Sequence, residues 1–145
     1  MIVLDTNVIS ELTRSEPVPE VLACIDSYPA NEVYLTSVTA AELWCGIGLL
    51  PEGRRKARLA ERVHELLSED FAGQVLAFTV DAAIHYGDIV VSRQHQATPI
   101  SMADAQIAAI CRLYDASLAT RNVKDFAETG VEIVDPWQAG RHDGG

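Results

Sequence analysis

The chain has 145 residues, of which 48% are hydrophobic and 22% are charged, and its formal net charge is −10. A chain of about this length forms one domain that can bury roughly two-thirds of its unfolded surface. The negative charge argues against a broad electrostatic grip on nucleic acid, and no apolar run approaches the ~20 residues of a membrane span or resembles a signal peptide. We therefore expect a cytoplasmic protein.

The first half of the chain alternates apolar runs with amphipathic segments. MIVLD predicts a buried strand that ends at Asp5, and the segments TNVISELTR and PEVLACIDSY predict two helices. EVYLTS predicts a second strand, and VTAAELWCGIGLL predicts a helix that ends at Pro51. A charged amphipathic helix is expected from Glu52 to about Glu69.

The second half continues the alternation. QVLAF, SLAT and VEIV predict three more strands, residues 80–95 predict a helix, and Pro99 and Ser101 precede a further helix. Parallel neighbours need crossovers of a dozen or more residues, so this order predicts a three-layer α/β/α domain with a central, mostly parallel sheet. In such sheets, ligands bind at the carboxyl ends of the strands.

The cysteines and histidines show no metal-binding spacing. Cys24, Cys45 and Cys111 form no CxxC pattern and are an odd number, so we expect small buried apolar residues rather than disulfides or a zinc site. The four histidines form no HxxxH pattern, and we assign them no catalytic role; they are His64, His85, His95 and His142.

Acidic or amide side chains follow the predicted strands. Asp5 ends the first strand, Glu42 follows Thr39 by three residues after the second, and Asp104 follows Ser101 by three residues. A turn after the fourth strand carries two more, at Asn122 and Asp125. The predicted topology brings all of these side chains to one edge of the sheet.

Each of these residues also has a structural interpretation. Asp104 and Glu42 both fit capping boxes, which are common and worth about 1 kcal/mol. Asn122 is an ordinary turn residue. Asp5 is harder to explain structurally, because a charge that closes an apolar strand is costly unless something compensates it.

Electrostatics favours a metal site among these carboxylates. Three carboxylates at one end of a sheet raise one another's pKa unless a cation lies among them. Oxygen ligands suit Mg²⁺ or Mn²⁺, which can also polarise a phosphodiester and activate water. Such an ion would supply the positive charge that the chain lacks for holding a phosphodiester. Local help in binding nucleic acid could come from Arg121 and Lys124, or from the RRKARLAER segment, which could instead be only a solvated helix face.

Four segments together resemble one known family. MIVLDTNVISEL, TSVTAAELWCGI, PISMADAQIAAICRLYDASLATRNVKDF and VEIVDPW look like PIN-domain ribonucleases, specifically the VapC-type toxins of prokaryotic toxin–antitoxin pairs. The resemblance extends over residues 1–137 and leaves residues 138–145 as a short C-terminal tail. It implies a PIN-like fold.

The resemblance also implies roles for individual residues. Asp5, Glu42 and Asp104 match the three most regular acidic positions of the family, as catalytic residues and metal ligands. The fourth position, often aspartate, falls on Asn122, which offers a carbonyl oxygen but no charge. Asp125 could supply the charge that Asn122 lacks, or it could only cap the short helix that follows. The hydroxyls of Thr6 and Thr120 would orient carboxylates.

The implied function is a Mg²⁺- or Mn²⁺-dependent endoribonuclease, the toxin of a pair, which forms a homodimer and is inhibited by a cognate antitoxin. The alternative is a weakly active or inactive module that represses transcription with a DNA-binding antitoxin, contacting DNA only through that partner. A haloacid-dehalogenase phosphatase is disfavoured because its second aspartate would fall on Asn7. Leu43, Trp44 and Ile47 are expected either to fill the core or to form an apolar surface for a partner.

Overall fold

The computed structural model describes residues 1–138, so most of the proposed C-terminal tail, including His142, lies outside the described residues. A five-stranded sheet lies between two layers of helices. The strands are β1 (Ile2–Leu4), β2 (Val33–Thr36), β3 (Val75–Leu76), β4 (Ser117–Ala119) and β5 (Ile133–Val134). The helices are α1 (Thr6–Leu12), α2 (Pro19–Asp26), α3 (Ser37–Gly48), α4 (Arg54–Glu65), α5 (Val80–His95) and α6 (Met102–Leu113).

The sheet has the order β3-β2-β1-β4-β5, and every neighbouring pair is parallel. The central strand β1 pairs with β2 through Val3 and Tyr34, and with β4 through Val3 and Leu118. The crossovers from β1 to β2, β2 to β3 and β3 to β4 each contain α-helices, whereas the connection from β4 to β5 contains only a 3₁₀ turn. The predicted α/β/α architecture is therefore confirmed, with a sheet that is wholly parallel.

Two apolar cores cover the two faces of the sheet. Ile2 and Leu4 of β1 pack with α1, α2, α3 and α4, whereas Val3 packs with α5 and α6. Side chains alternate between faces along a strand, so three consecutive apolar residues serve both cores. This is why MIVLD reads as a continuous apolar run rather than as an alternating pattern.

The charged helix α4 is shorter than expected but keeps its apolar stripe. It ends at Glu65 and continues as a π-helical turn over Leu66–Asp70, with Val63 and Leu66 buried against the first core. On its polar face, Lys56 pairs with Glu52.

The structure decides between the two alternatives for α3 and corrects one expectation about the cysteines. Leu43 and Ile47 fill the first core, so of the proposed apolar surface on α3 only Trp44 is substantially exposed. Residues four apart lie on one face of a helix, and Trp44 lies about 100° away from that face. Of the cysteines, which are all free thiols, Cys111 is buried but Cys45 is exposed.

No helix among residues 1–138 is long and apolar enough to cross a membrane.

Candidate active site

Asp5 occupies the junction between the central strand and α1. Only 4% of it is exposed, and it is the N-cap of α1, with its Oδ1 accepting the Thr6 backbone N–H at 2.8 Å. Its Oδ2 accepts the Thr120 hydroxyl at 2.7 Å and the Asn7 amide at 3.3 Å. These hydrogen bonds hold the carboxylate in one orientation at the carboxyl end of β1.

Asn7 joins the first and fourth strand ends, and sequence reasoning missed this role. Its Nδ2 donates to Thr120 Oγ1 at 3.2 Å, and its Oδ1 accepts the Arg121 backbone N–H at 3.2 Å. The Thr120 hydroxyl also accepts the Asn122 backbone N–H at 3.0 Å. The only local signal was the amide in Asp-Thr-Asn, whose partners lie more than 110 residues away in sequence.

Glu42 lies on the second turn of α3, where it cannot form the capping box that was its structural interpretation. The N-cap of α3 is Thr36, whose hydroxyl accepts the Thr39 backbone N–H at 3.1 Å, so the helix begins before Thr39. The exposed Glu42 carboxylate instead accepts the Thr6 hydroxyl at 2.7 Å. Thr6 thus ties the first turn of α1 to the carboxylate of α3.

Asp104 stands in the first turn of α6. Ser101 is the N-cap, and its hydroxyl accepts the Asp104 backbone N–H at 3.2 Å. The bond from the helix backbone to the Ser101 side chain, which is one half of a capping box, is therefore present. No backbone N–H is found bound to the Asp104 carboxylate among residues 1–138. The Asp104 side chain is half-buried and close enough to the Asp5 carboxylate for the two charges to repel.

Asn122 and Asp125 lie in the turn after β4. Asn122 precedes the 3₁₀ turn Val123–Phe126; its side chain is exposed and does not cap that turn. Asp125 lies inside the turn, and its charge raises the pKa of both Asp5 and Asp104. Asp125 is therefore the fourth carboxylate at this edge, and it does not begin the short helix as one earlier alternative held.

Burial and mutual repulsion raise the pKa of two of these carboxyls. For Asp5, burial raises the pKa most, hydrogen bonds from Thr120 and Thr6 lower it, and the charges of Glu42 and Asp125 raise it further. For Asp104, burial and then the charge of Asp5 raise the pKa to about 6. None of the four carboxylates takes part in an ion pair within the described part of the chain.

This donor set suits a divalent oxygen-loving cation. All four side chains are carboxylates, and raised pKa values mark positions where added positive charge stabilises the ionised forms. In residues 1–138, however, no three His, Cys, Asp or Glu side chains stand close enough to count as a preformed metal group. The carboxylates thus converge on one edge of the sheet without touching, and their chemistry fits Mg²⁺ or Mn²⁺.

The chain belongs to the PIN domain family, whose family model matches residues 2–132. This confirms the resemblance seen in the sequence, including its likeness to VapC-type toxins.

Two relatives and one solved structure show more narrowly what the chain is similar to. A VapC ribonuclease of Sinorhizobium fredii is 38% identical over 95% of this chain and 99% of its own. The toxin FitB of Neisseria gonorrhoeae is 38% identical over 94% of this chain and 99% of its own. The crystal structure of FitAcB from Neisseria gonorrhoeae covers 94% of this chain and 99% of that one, at 38% identity and a TM-score of 0.87.

We predict that Asp104→Asn stabilises the metal-free protein at neutral pH. The folded-state pKa of about 6 lies above the ordinary 3.8, so the stability that Asp104 contributes is lost as the pH rises from about 4 to 6. Asparagine cannot ionise, so in EDTA the variant should melt about 3 °C higher at pH 7.5, and the gain should shrink toward pH 4.5. Thermal denaturation at several pH values measures it.

A structural role for the carboxylate makes the opposite prediction. If Asp104 mainly capped α6, Asp104→Asn would lower the melting temperature at every pH above 4. The matched control is Asp115→Asn, in an exposed turn away from the strand carboxyl ends, which should show no pH-dependent gain.

Proposed function

We propose that this protein is the toxin of a toxin–antitoxin pair and acts in the cytoplasm as a Mg²⁺- or Mn²⁺-dependent endoribonuclease. The observation that carries the proposal is the convergence of four carboxylates at the carboxyl edge of the sheet, two with raised pKa values. The relatives named above, a VapC ribonuclease and a toxin, support the same assignment.

Asp5, Glu42 and Asp104 would hold the metal ion. Bound there, Mg²⁺ would supply positive charge opposite a phosphodiester and lower the pKa of water. The protein's own contribution is positioning: Thr120 and the Thr6 backbone fix Asp5, and the Thr6 hydroxyl fixes Glu42. Asp125 would add negative charge at the same edge, and Asn122 could offer only an amide oxygen.

Two cations beside the site would help to hold RNA on this acidic protein. The Arg121 backbone is hydrogen-bonded to Asn7, and its guanidinium lies 4.9 Å from the centroid of the Trp137 ring. The stacking on Trp137 holds the guanidinium of the exposed Arg121 in one position, next to Thr120 in the sequence. Lys124 is exposed in the same turn, so both cations could contact phosphates next to the scissile bond.

The proposed reaction is attack of water on phosphorus. The new bond joins the water oxygen to phosphorus, and the bond from phosphorus to the ribose 3′ oxygen breaks. The leaving oxygen takes up a proton, so the products carry a 5′-phosphate and a 3′-hydroxyl. Attack by the ribose 2′-hydroxyl would instead leave a cyclic phosphate, and the product ends distinguish the two routes.

An acidic site of this kind also suits inhibition by a basic segment. A cationic side chain of the cognate antitoxin could enter among the four carboxylates and replace the metal charge. The FitAcB structure is similar over 94% of this chain, and the relative FitB is a toxin, which together support an antitoxin as the partner.

A second candidate function is a weakly active module that represses transcription together with a DNA-binding antitoxin. The observation that favours it is a solved structure of FitAB bound to a DNA fragment, which covers 94% of this chain at 37% identity with a TM-score of 0.87. In that case the chain would contact DNA only through its partner.

An apolar stripe on α5 supports the proposed homodimer. Val80, Ile84 and Val91 are 87%, 71% and 51% exposed, and residues four and seven apart lie on one side of a helix. Exposed apolar side chains on one helix face are a common feature of surfaces that pair with a second copy. We therefore propose that the dimer contact lies on α5.

We predict that the full-length protein, freed of antitoxin, cuts single-stranded or loop RNA only with Mg²⁺ or Mn²⁺. EDTA should stop the cleavage, and Asp5→Asn should lower the rate at least about 100-fold, because it removes a carboxylate from the charge balance of the site. End-labelled RNA reports both the rate and the product ends.

The contrary result is equally specific. A folded, metal-loaded wild-type protein that cuts varied RNAs no faster than Asp5→Asn would favour the repressor module. Cyclic phosphate ends without a metal requirement would overturn the mechanism. Asp26→Asn, at the exposed end of α2 and outside the basic RRKARLAER segment, is a suitable control that should leave cleavage unchanged.

Asn122 provides a further prediction about the metal. If its amide reaches the ion, Asn122→Asp should raise cleavage at low Mn²⁺, because a charged oxygen replaces a neutral one. The measurement is the Mn²⁺ concentration at half-maximal rate. An unchanged value would place Asn122 outside the metal's ligands.

For the dimer, we predict that Ile84→Glu gives a folded monomer, because a charge in the apolar contact remains without a partner. Light scattering after size exclusion measures the mass. Leu49→Glu is the matched control, since Leu49 is 83% exposed outside α5 and its variant should stay dimeric. A dimer unaffected by Ile84→Glu would exclude this face.

A further inference from the structure

Arg93, in the last turn of α5, is a buried cation that the site chemistry described above does not use. Only 6% of it is exposed. Its Nε donates to the Thr98 carbonyl at 2.6 Å, and its Nη1 donates to the carbonyls of Asp125 at 2.9 Å and Ala127 at 3.0 Å. One guanidinium therefore joins two segments of the chain.

Burying a guanidinium is costly unless hydrogen bonds compensate it. Arg93 forms no ion pair with any carboxylate of residues 1–138, so its compensation comes from three carbonyl oxygens. Charge-assisted hydrogen bonds are roughly twice as strong as neutral ones, and the rigid fork of arginine fixes their directions. The three carbonyls are thus held in fixed relative positions.

The two segments joined by Arg93 carry two of the four carboxylates. Thr98 lies in the connection from α5 to α6, three residues before the N-cap Ser101 and six before Asp104. Asp125 itself supplies one of the carbonyls at the other end. The backbone that presents Asp104 and the backbone that presents Asp125 are therefore tied to the same side chain.

Both ends of this tie are themselves well fixed. Phe126, which lies in the sequence between Asp125 and Ala127, is fully buried. Its own carbonyl accepts the Thr129 hydroxyl at 2.7 Å. At the other end, Thr98 donates its backbone N–H to the Arg93 carbonyl at 3.0 Å, and Ala97 has a φ of 56°. This left-handed residue lets the chain turn back onto α5.

We propose that Arg93 is a positioning residue that sets the separation of the Asp104 and Asp125 carboxylates, and thereby the affinity of the acidic site for a divalent cation. The inference rests on the proposed function only for the existence of the metal site. It requires neither RNA nor an antitoxin.

Arg93 acts through geometry rather than through its own charge. The charges that shift the pKa of Asp104 include those of Asp5, Asp125 and Glu42, and Arg93 is not among them. Removing its hydrogen bonds should therefore change where Asp125 stands relative to Asp104. Such outer partners typically change metal affinity 10–100-fold when they are lost.

The experiment measures the dissociation constant of Mn²⁺ for the metal-free full-length protein, by electron paramagnetic resonance and without RNA. Arg93→Lys keeps the charge but loses the fork, and it should weaken Mn²⁺ binding about tenfold. The same substitution in an Asp125→Asn background should weaken it less than about threefold, because the carboxylate being positioned is gone.

A second variant keeps the arginine and loosens the other end of the tie. Ala97→Val places a β-branched residue in the left-handed region, which disfavours the turn that holds Thr98. It should also weaken Mn²⁺ binding, by about threefold or more. Val21→Ala in α2 is the control for lost stability, since Val21 is buried in the first core away from both segments.

The outcomes separate the possibilities. Equal losses of affinity from Arg93→Lys with and without Asp125 would overturn the inference, as would variants that bind Mn²⁺ as tightly as Val21→Ala. If Arg93→Lys does not fold, Ala97→Val decides alone. A wild-type protein that binds no Mn²⁺ would overturn the metal site itself and this inference with it, whereas Mn²⁺ binding without RNA cleavage would count only against the proposed nuclease.

Discussion

Burial of the Asp5 carboxylate at the end of the central strand is the constraint on which the site depends. A carboxylate that is 4% exposed needs donors, and they come from the backbone of Thr6 and the side chains of Asn7 and Thr120. Those donors stand on α1 and at the end of β4. Satisfying one buried charge therefore fixes the first helix against the fourth strand.

The strand order then determines which other residues can join Asp5. With β1 between β2 and β4, the residues that follow all three strands meet at one edge. Thr36 begins α3 in this position and brings Glu42 within reach of Thr6, and the turn after β4 brings Asp125. Asp104 arrives from α6, on the other face of the sheet, so the carboxylates converge from both helical layers.

Crowding of like charges gives this edge its chemical character. Burial and then the repulsion among the four carboxylates raise the pKa of Asp5 and Asp104, and hydroxyl and amide groups, rather than cations, hold Asp5 and Glu42 in place. Such an edge is electrostatically unfavourable until positive charge arrives. A divalent ion, a phosphate-bound ion or a basic segment of an antitoxin would all relieve the same repulsion, which connects the proposed catalysis to its proposed inhibition.

The sequence alone determined the elements, the parallel sheet and the edge that carries the acidic residues, because apolar periodicity and strand–helix alternation are local signals. Only the tertiary structure decided that Thr36 rather than Thr39 caps α3, and that Asn7 and Arg93 brace the site. Which threonine caps α3 depends on where the preceding strand ends. Arg93 binds the carbonyls of Asp125 and Ala127, which lie more than 30 residues away in the sequence. Such contacts leave no pattern in the sequence, because folding alone brings their partners together.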